Sequence, residues 1–326
     1  MKMLKNNSFE EIRQVISAAE KIIISAHISP DGDAVGSSCG LARSLRLAGK
    51  DAWVYLEEMP EKYLKIPVEG LYRLPEFTDT DCDLFIALDC ADKARLGLTE
   101  AIFDKAKSTV CIDHHGTNIG YGDLNYIDEY AASASELVYE LIKNCFPIDK
   151  DTATLIYAGI LYDTGGFRHS STLPSTMAAA GELMALGIPF SKVYNQMFYT
   201  QNFSQTLATA ITIENAEVLH NGDFVFTYIS AADIEKAGSS SSELDGISEY
   251  FKRTAGTKIS VFAKEKNPGE IRISMRADGE IDVSRIGAMF GGGGHVNAAG
   301  CTINEPLEKA CEIIKETVLK VLDGEI

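Results

Sequence analysis

The sequence predicts an α/β fold: a mostly parallel sheet covered by helices, followed by a smaller α/β domain with a mixed sheet. Three observations carry that expectation. Short β-branched runs alternate with helix-length segments through the first half of the chain. Two turn signals, Asn221-Gly222 and Asn267-Pro268-Gly269, each lie between strand-like runs in the last third. The length of 326 residues exceeds what one compact domain needs, and about 150 residues per domain suggests two.

Taken in order, Glu10 to Glu20 reads as an amphipathic helix and Lys21 to Ala26 as a buried strand. A helix over Ala34 to Ala48 stops at Gly49, a residue type that commonly follows a last helical turn. Further strands are expected at Ala52 to Leu56, Leu84 to Leu88 and Thr109 to Ile112, continuous apolar runs suited to a sheet buried on both faces. From Ala134 to about Leu207 the pattern is helical, including Thr152 to Tyr162 and Pro174 to Leu186. Glu217 to Leu219 and Asp223 to Ile229 flank the first turn; Lys258 to Lys266 and Glu270 to Met275 flank the second. Helices over Glu243 to Lys252 and Pro306 to Leu322 should cover that sheet. The expected division is a first domain over residues 1–190, a connecting helical segment over 191–214 and a second domain over 215–326.

Composition narrows the function classes. Hydrophobic residues make up 45% and charged residues 24%, which excludes global disorder and collagen-like repeats. Thirty Lys and Arg against 47 Asp and Glu leave a net charge of −17, the wrong sign for gripping long nucleic acid through its phosphates. A small anionic ligand in a locally basic cleft stays compatible with that charge. The polar stretch from Met1 to Glu11 has no secretory core, and apolar runs such as Leu155 to Tyr162 are too short to span a bilayer. Seven cysteines without CxxC spacing fit neither a disulfide framework nor a zinc ribbon. The expectation is a soluble, cytoplasmic protein with no membrane contact.

Acidic residues and histidines gather at expected strand ends. His27 follows the first strand, and Asp31-Gly32-Asp33 leads into a helix; Asp89 ends the Leu84 strand and Asp113-His114-His115 ends the Thr109 strand. Asp163 lies just past the Thr152 to Tyr162 segment. The carboxyl ends of parallel strands converge on one crevice. Several carboxylates there repel one another unless cations are present. Oxygen-rich ligation with imidazole and no thiol suits Mn²⁺ or Mg²⁺ better than structural zinc, and two such ions about 4 Å apart form a clamp for phosphate-ester hydrolysis. Any single Asp here is more ordinarily a helix cap or turn residue, and His114-His115 alone more ordinarily core or surface imidazoles. The grouping at sheet ends, with His27 and Asp31 four residues apart, favours the metal site over that sum of separate roles.

A second signal is Gly291-Gly292-Gly293-Gly294-His295-Val296-Asn297. Glycines expose backbone N–H groups and admit close approach of a phosphate or base; a glycine run alone is more often a flexible loop. Residues 251–300 hold eight Lys and Arg against five Asp and Glu, a local +3. Arg276 and Arg285 are the candidates for grasping an anionic substrate.

These residues resemble the DHH phosphoesterases, whose name is the motif seen here as Asp113-His114-His115. The resemblance extends to the subgroup with a DHH-associated second domain carrying Gly-Gly-Gly-His, here Gly292 to His295, and covers nearly the whole chain. Within it, the chain is similar to bacterial nanoRNase-type enzymes, which degrade very short oligoribonucleotides; many also dephosphorylate 3′-phosphoadenosine 5′-phosphate. The resemblance implies two Mn²⁺ ions, with Mg²⁺ or Co²⁺ as substitutes: His27 and Asp31 on one, Asp33, His114 and Asp163 on the other, and Asp89 bridging. It implies that His115 faces the scissile phosphate and that Asp113 orients the histidine pair. Arg168, in Thr164-Gly165-Gly166-Phe167-Arg168, would approach substrate, while Arg276, Gly292, Gly293, Gly294, His295 and Asn297 would hold the nucleotide. Ala277 departs from the serine many relatives carry after that arginine.

The expected function is therefore metal-dependent hydrolysis of oligoribonucleotides of about two to five nucleotides to mononucleotides, together with 3′-phosphoadenosine 5′-phosphate to AMP. A substrate that short needs few basic contacts, in keeping with the acidic chain. A cyclic-di-AMP or pApA phosphodiesterase is the nearest alternative, and a non-catalytic nucleotide sensor the alternative of another class. The expected partners are short RNA or small nucleotides; a homodimer is left open.

Overall fold

The computed structural model describes residues 6–74, 81–244 and 246–325. The chain forms two compact units, Met1–Thr200 and Gln201–Ile326. The segment expected as a connector over 191–214 is thus divided: its first helix belongs to the first unit and its second helix to the other.

The first unit begins with α1 (Phe9–Ala18), opened by a capping box in which Ser8 and Glu11 satisfy each other's backbone N–H groups. Then come β1 (Lys21–Ser25), α2 (Gly32–Leu47), β2 (Asp51–Tyr55), β3 (Tyr72–Arg73), β4 (Leu84–Leu88), α3 (Glu100–Phe103), β5 (Thr109–Asp113) and β6 (Leu124–Ile127). Four helices complete it: α4 (Ala134–Ile142), α5 (Lys150–Asp163), α6 (Pro174–Ala185) and α7 (Phe190–Phe198). The strands form one sheet in the order β3-β2-β1-β4-β5-β6, every pair parallel. Alternate residues of each strand serve the two faces. Ile22 and Ile24 of β1 pack into the large core with α2, α4 and α5; Ile23 packs on the opposite face with Phe85, Ala87 and Phe103. The strand order reverses direction between β1 and β4, so the loops after these two strands diverge and leave a crevice between them.

Helices α2 and α5 meet through glycine. A Cβ on Gly36 would lie 2.7 Å from the backbone N of Gly159 and the O of Leu155, and one on Gly40 would lie 2.7 Å from Ile156. A Cβ on Gly159 would lie 2.0 Å from Ser135 Oγ and 2.9 Å from Asp33 Oδ1. The two helices therefore approach at backbone distance beside the crevice.

The second unit comprises α8 (Phe203–Glu214), β7 (Glu217–Leu219), β8 (Phe224–Ile229), α9 (Ala231–Ala237), α10 (Ile247–Lys252), β9 (Ile259–Asn267), β10 (Glu270–Ala277), α11 (Val283–Met289), β11 (Gly293–His295), β12 (Ala298–Ile303) and α12 (Leu307–Leu322). The helix expected from Glu243 starts instead at Ile247, after a 3-10 turn over Ser241–Leu244 and a left-handed Gly246 at φ 98° that interrupts helical geometry; Asp245 lies outside the described residues. The sheet order is β11-β12-β10-β9-β8-β7, with β8 and β9 parallel and the other pairs antiparallel. One face buries Ile271, Ile273 and Met275 against Ile314 and Val318 of α12. On the other, α8 to α10 cover β8 and β9 around Phe262 and Val225, while β10 and β12 border a groove.

Candidate metal centre and nucleotide groove

The metal-ligand candidates come together at the crevice of the first sheet. His27 lies two residues beyond β1, Asp89 follows β4 directly, and Asp113 ends β5. Asp31 is the N-cap of α2: its Oδ1 accepts from the N–H groups of Asp33 (2.9 Å) and Ala34 (3.1 Å). The capping role and the site role thus coexist in one side chain. Asp33 sits inside the first turn of α2, fully buried, and accepts from the N–H groups of Ala134 (2.6 Å) and Ser135 (2.9 Å) at the start of α4. Asp163 arrives as the last residue of α5 rather than from a strand.

Two triads result, each with ligand atoms within 4.8 Å of one another: His27, Asp31 and Asp89, and Asp33, His114 and Asp163. Asp89 links them. Its Oδ2 is 3.6 Å from His27 Nε2 and its Oδ1 3.4 Å from His114 Nε2. His114 Nε2 lies 3.2 Å from Asp163 and 3.9 Å from Asp33. The His27 ring is oriented by Nδ1, which donates to the Ile28 carbonyl at 2.7 Å and so turns Nε2 toward the carboxylates. Asp89 holds a left-handed backbone, φ 50°, a conformation Asp tolerates better than most residues.

Electrostatics supply the test of whether cations fit. Burial, joined by the charges of neighbouring aspartates, raises Asp89 well above the usual carboxylate range. Burial likewise raises Asp33, opposed by His114, and lifts Asp163 to about 9, with Asp33 adding to the effect. Buried carboxylates facing one another either hold protons or surround a positive ion. The donors here are oxygens and imidazole nitrogens without sulfur, a set that fits hard divalent ions.

Beside the triads stands His115, half-buried, whose Nδ1 is 2.8 Å from Asp113 Oδ1; that hydrogen bond raises the imidazole pKa. Burial acts to raise Asp113, but hydrogen bonds from His115 and Asn118 and the histidine charges outweigh it and leave the group lowered. Asn118 escaped the sequence reading. Its Nδ2 donates to Asp113 Oδ2 at 2.7 Å and to the Cys90 carbonyl at 3.1 Å, tying the end of β5 to the turn after Asp89. The only signal was an asparagine five residues after Asp113. Arg168 is exposed in the turn after α5, its N–H bonded to Thr164.

In the second unit, a groove of about 760 Å³ lies on the sheet face beside the glycine run. Of the sequence candidates, Arg276, Gly292 and Gly293 line it. Gly294 and His295 continue along β11, and Asn297 lies in the turn before β12. Arg285 is exposed on α11, outside the lining. Arg272, Ser274 and Phe290 line the groove and were not anticipated.

Comparison with known proteins gives the family. The DHH family, N-terminal domain, matches residues 21–160, and the DHHA1 domain matches residues 221–320. A "Bifunctional oligoribonuclease and PAP phosphatase NrnA" of Thermus thermophilus is 30% identical over 322 residues, covering 95% of this chain and 93% of its own length. The chain belongs to the DHH family. Another DHH-related match, "Cyclic-di-AMP phosphodiesterase PdeA" of Listeria monocytogenes, is 25% identical and aligns with 91% of this chain, but with only 47% of its own length. Among solved structures, an exopolyphosphatase-related protein from Bacteroides fragilis superposes with a TM-score of 0.88 at 25% identity, covering 98% of this DHH chain and 97% of its own. No helix among the described residues is long and apolar enough to cross a membrane.

Proposed function

We propose that this chain is a manganese-dependent phosphoesterase that hydrolyses short oligoribonucleotides to mononucleotides and 3′-phosphoadenosine 5′-phosphate to AMP. The observation that supports the reading is the pair of triads joined through Asp89, which could hold two cations side by side. His27 and Asp31 would hold one ion, Asp33, His114 and Asp163 the other, with Asp89 shared. A bound divalent ion supplies Lewis acidity toward water and phosphoryl oxygen. The protein's own contribution is to position and to neutralise. His115, its proton held at Nδ1 by Asp113, offers positive charge to the phosphate, and Asn118 fixes Asp113 in turn. Arg276 and the N–H groups of Gly292 and Gly293 would receive the nucleotide, with Arg168 a further contact to substrate.

Support for the substrate class comes from the oligoribonuclease and PAP phosphatase relative that matches along nearly its whole length. The cyclic-di-AMP relative motivates the second reading, in which the same centre cleaves cyclic-di-AMP or pApA. The deciding experiment strips the chain of metal, resupplies Mn²⁺, Mg²⁺ or Co²⁺, and measures product release from a ribodinucleotide, 3′-phosphoadenosine 5′-phosphate, pApA and cyclic-di-AMP. Turnover of the dinucleotide with Mn²⁺ and none of the cyclic compound is expected, and Asp89→Asn should abolish it. Preference for the cyclic compound would install the second reading. Retained turnover in Asp89→Asn would overturn the shared-carboxylate centre.

A further inference from the structure

The groove of the second unit continues beyond the residues assigned to one nucleotide, and we propose that Arg272 reads substrate length by binding a second phosphate. The inference rests on the phosphoesterase reading and deepens it.

Exposure alternates along β10, so Glu270, Arg272, Ser274 and Arg276 share the face opposite the buried Ile271, Ile273 and Met275. Arg272 and Arg276 stand four residues apart, about 13 Å along an extended strand. On the β12 side what lies between them is small, while on the β9 side Phe262 pairs with Ser274 and Lys264 with Arg272. Ser274 pairs with Gly300 of β12, and Ala298 lies across from Arg276. The two arginine positions therefore flank a floor that is open on the β12 side and bounded by Phe262 on the β9 side, and their separation suits phosphates of non-adjacent nucleotides. The wall beside them is the glycine run, seated so closely on β12 that a Cβ at Gly292 would lie 2.1 Å from the Gly300 carbonyl. Phe290 borders the same groove while packing partly against the core of this unit.

The two arginines are held differently. Arg276 donates from Nη1 to the Met275 carbonyl at 2.9 Å and approaches Glu249 at 4.0 Å. Arg272 is exposed and forms no ion pair among the described residues. Next on the same face comes Glu270, fixed by Lys266 at 3.2 Å and by Asn267 at 2.6 Å. Lys266 also lines the groove but is engaged by that carboxylate, which itself repels phosphate, so β10 offers two basic positions of its own. Such a two-position track favours a short chain over a mononucleotide and gives little further gain to longer ones. A merely solvated Arg272 would give no dependence on length.

The test is equilibrium binding of 5′-AMP, pApA and pApApA to the full chain in the absence of divalent metal, by competition against a fluorescent oligoadenylate. Arg272→Gln should weaken pApApA about tenfold, leave 5′-AMP unchanged, and lower the salt slope for pApApA by about 0.7. Arg272→Lys should restore part of the loss, and Glu270→Gln should tighten pApApA. Equal weakening of all three ligands, or none, would overturn the proposal. Because the readout is binding, it separates from the parent reading. Length-dependent binding without turnover in Mn²⁺ would sink the phosphoesterase and leave Arg272 its role, whereas turnover with length-independent binding would sink Arg272 alone.

Discussion

Asn118 shows how much a single uncharged side chain can govern here. One amide nitrogen joins the Asp113 carboxylate to the Cys90 carbonyl, and Asp113 in turn holds His115 at 2.8 Å. Removing it leaves Asp113 buried with one partner fewer, and the His115 imidazole that Asp113 orients less firmly held. Asn118→Ala should lower kcat by about 10- to 100-fold, the range typical of groups that orient a metal-site residue. Far-UV circular dichroism should stay unchanged, and an unchanged kcat would show that the backbone alone holds Asp113. The charged members of the candidate site were legible only as a group, because one strand-end aspartate reads as a cap but several converging on one sheet edge do not. The sequence did not reveal Asn118, since asparagine in a loop reads as a turn residue. Arg272 was hidden for a related reason: an exposed arginine on a strand looks like any solvated face until its neighbours across the sheet are known.

At the scale of elements, the decisive contact is α2 against α5. It brings Asp31 and Asp33 from one helix beside Asp163 from the other. Gly159→Ala puts a methyl group into Ser135 Oγ and the Asp33 carboxylate, so the helices must part or Asp33 must turn. The expected cost is about 1–3 kcal/mol of stability, read by denaturant unfolding, together with weaker metal binding in titration. Full stability and affinity would mean the seam adjusts more readily than its spacing indicates. Most strands and most helices were legible from apolar periodicity, with ends generally shifted by a residue or two, whereas the short β3 and the half-buried β6 were not. Lateral order was not, because periodicity says which residues are buried and nothing about which strand lies beside which. The reversal between β1 and β4, which locates the crevice, had to be seen. The three-residue β11 within a glycine run carried no strand signal at all.

For the molecule as a whole, the buried carboxylates couple stability to pH and metal. In the metal-free protein Asp163 is raised to about 9, with Asp33 and Asp89 also raised. The folded state then binds more protons than the unfolded one above the ordinary carboxylate range, so these groups remove stability as pH rises toward 9. A divalent ion bound among these carboxylates would replace those protons. Added Mn²⁺ should therefore raise Tm more at about pH 8 than at about pH 6, by on the order of 5 °C at the higher value, measured by scanning calorimetry against an EDTA control. A larger gain at the lower pH would contradict the assignment of the raised groups to the ion site.

The α2–α5 seam also has a genetic consequence. Gly36, Gly40 and Gly159 sit where even a methyl group collides with backbone or with a buried neighbour, and every missense change of a glycine codon adds at least that methyl. Loss-of-function alleles recovered in a random screen should therefore cluster at these three codons as densely as at the aspartates and histidines, although none of the three glycines carries a functional group.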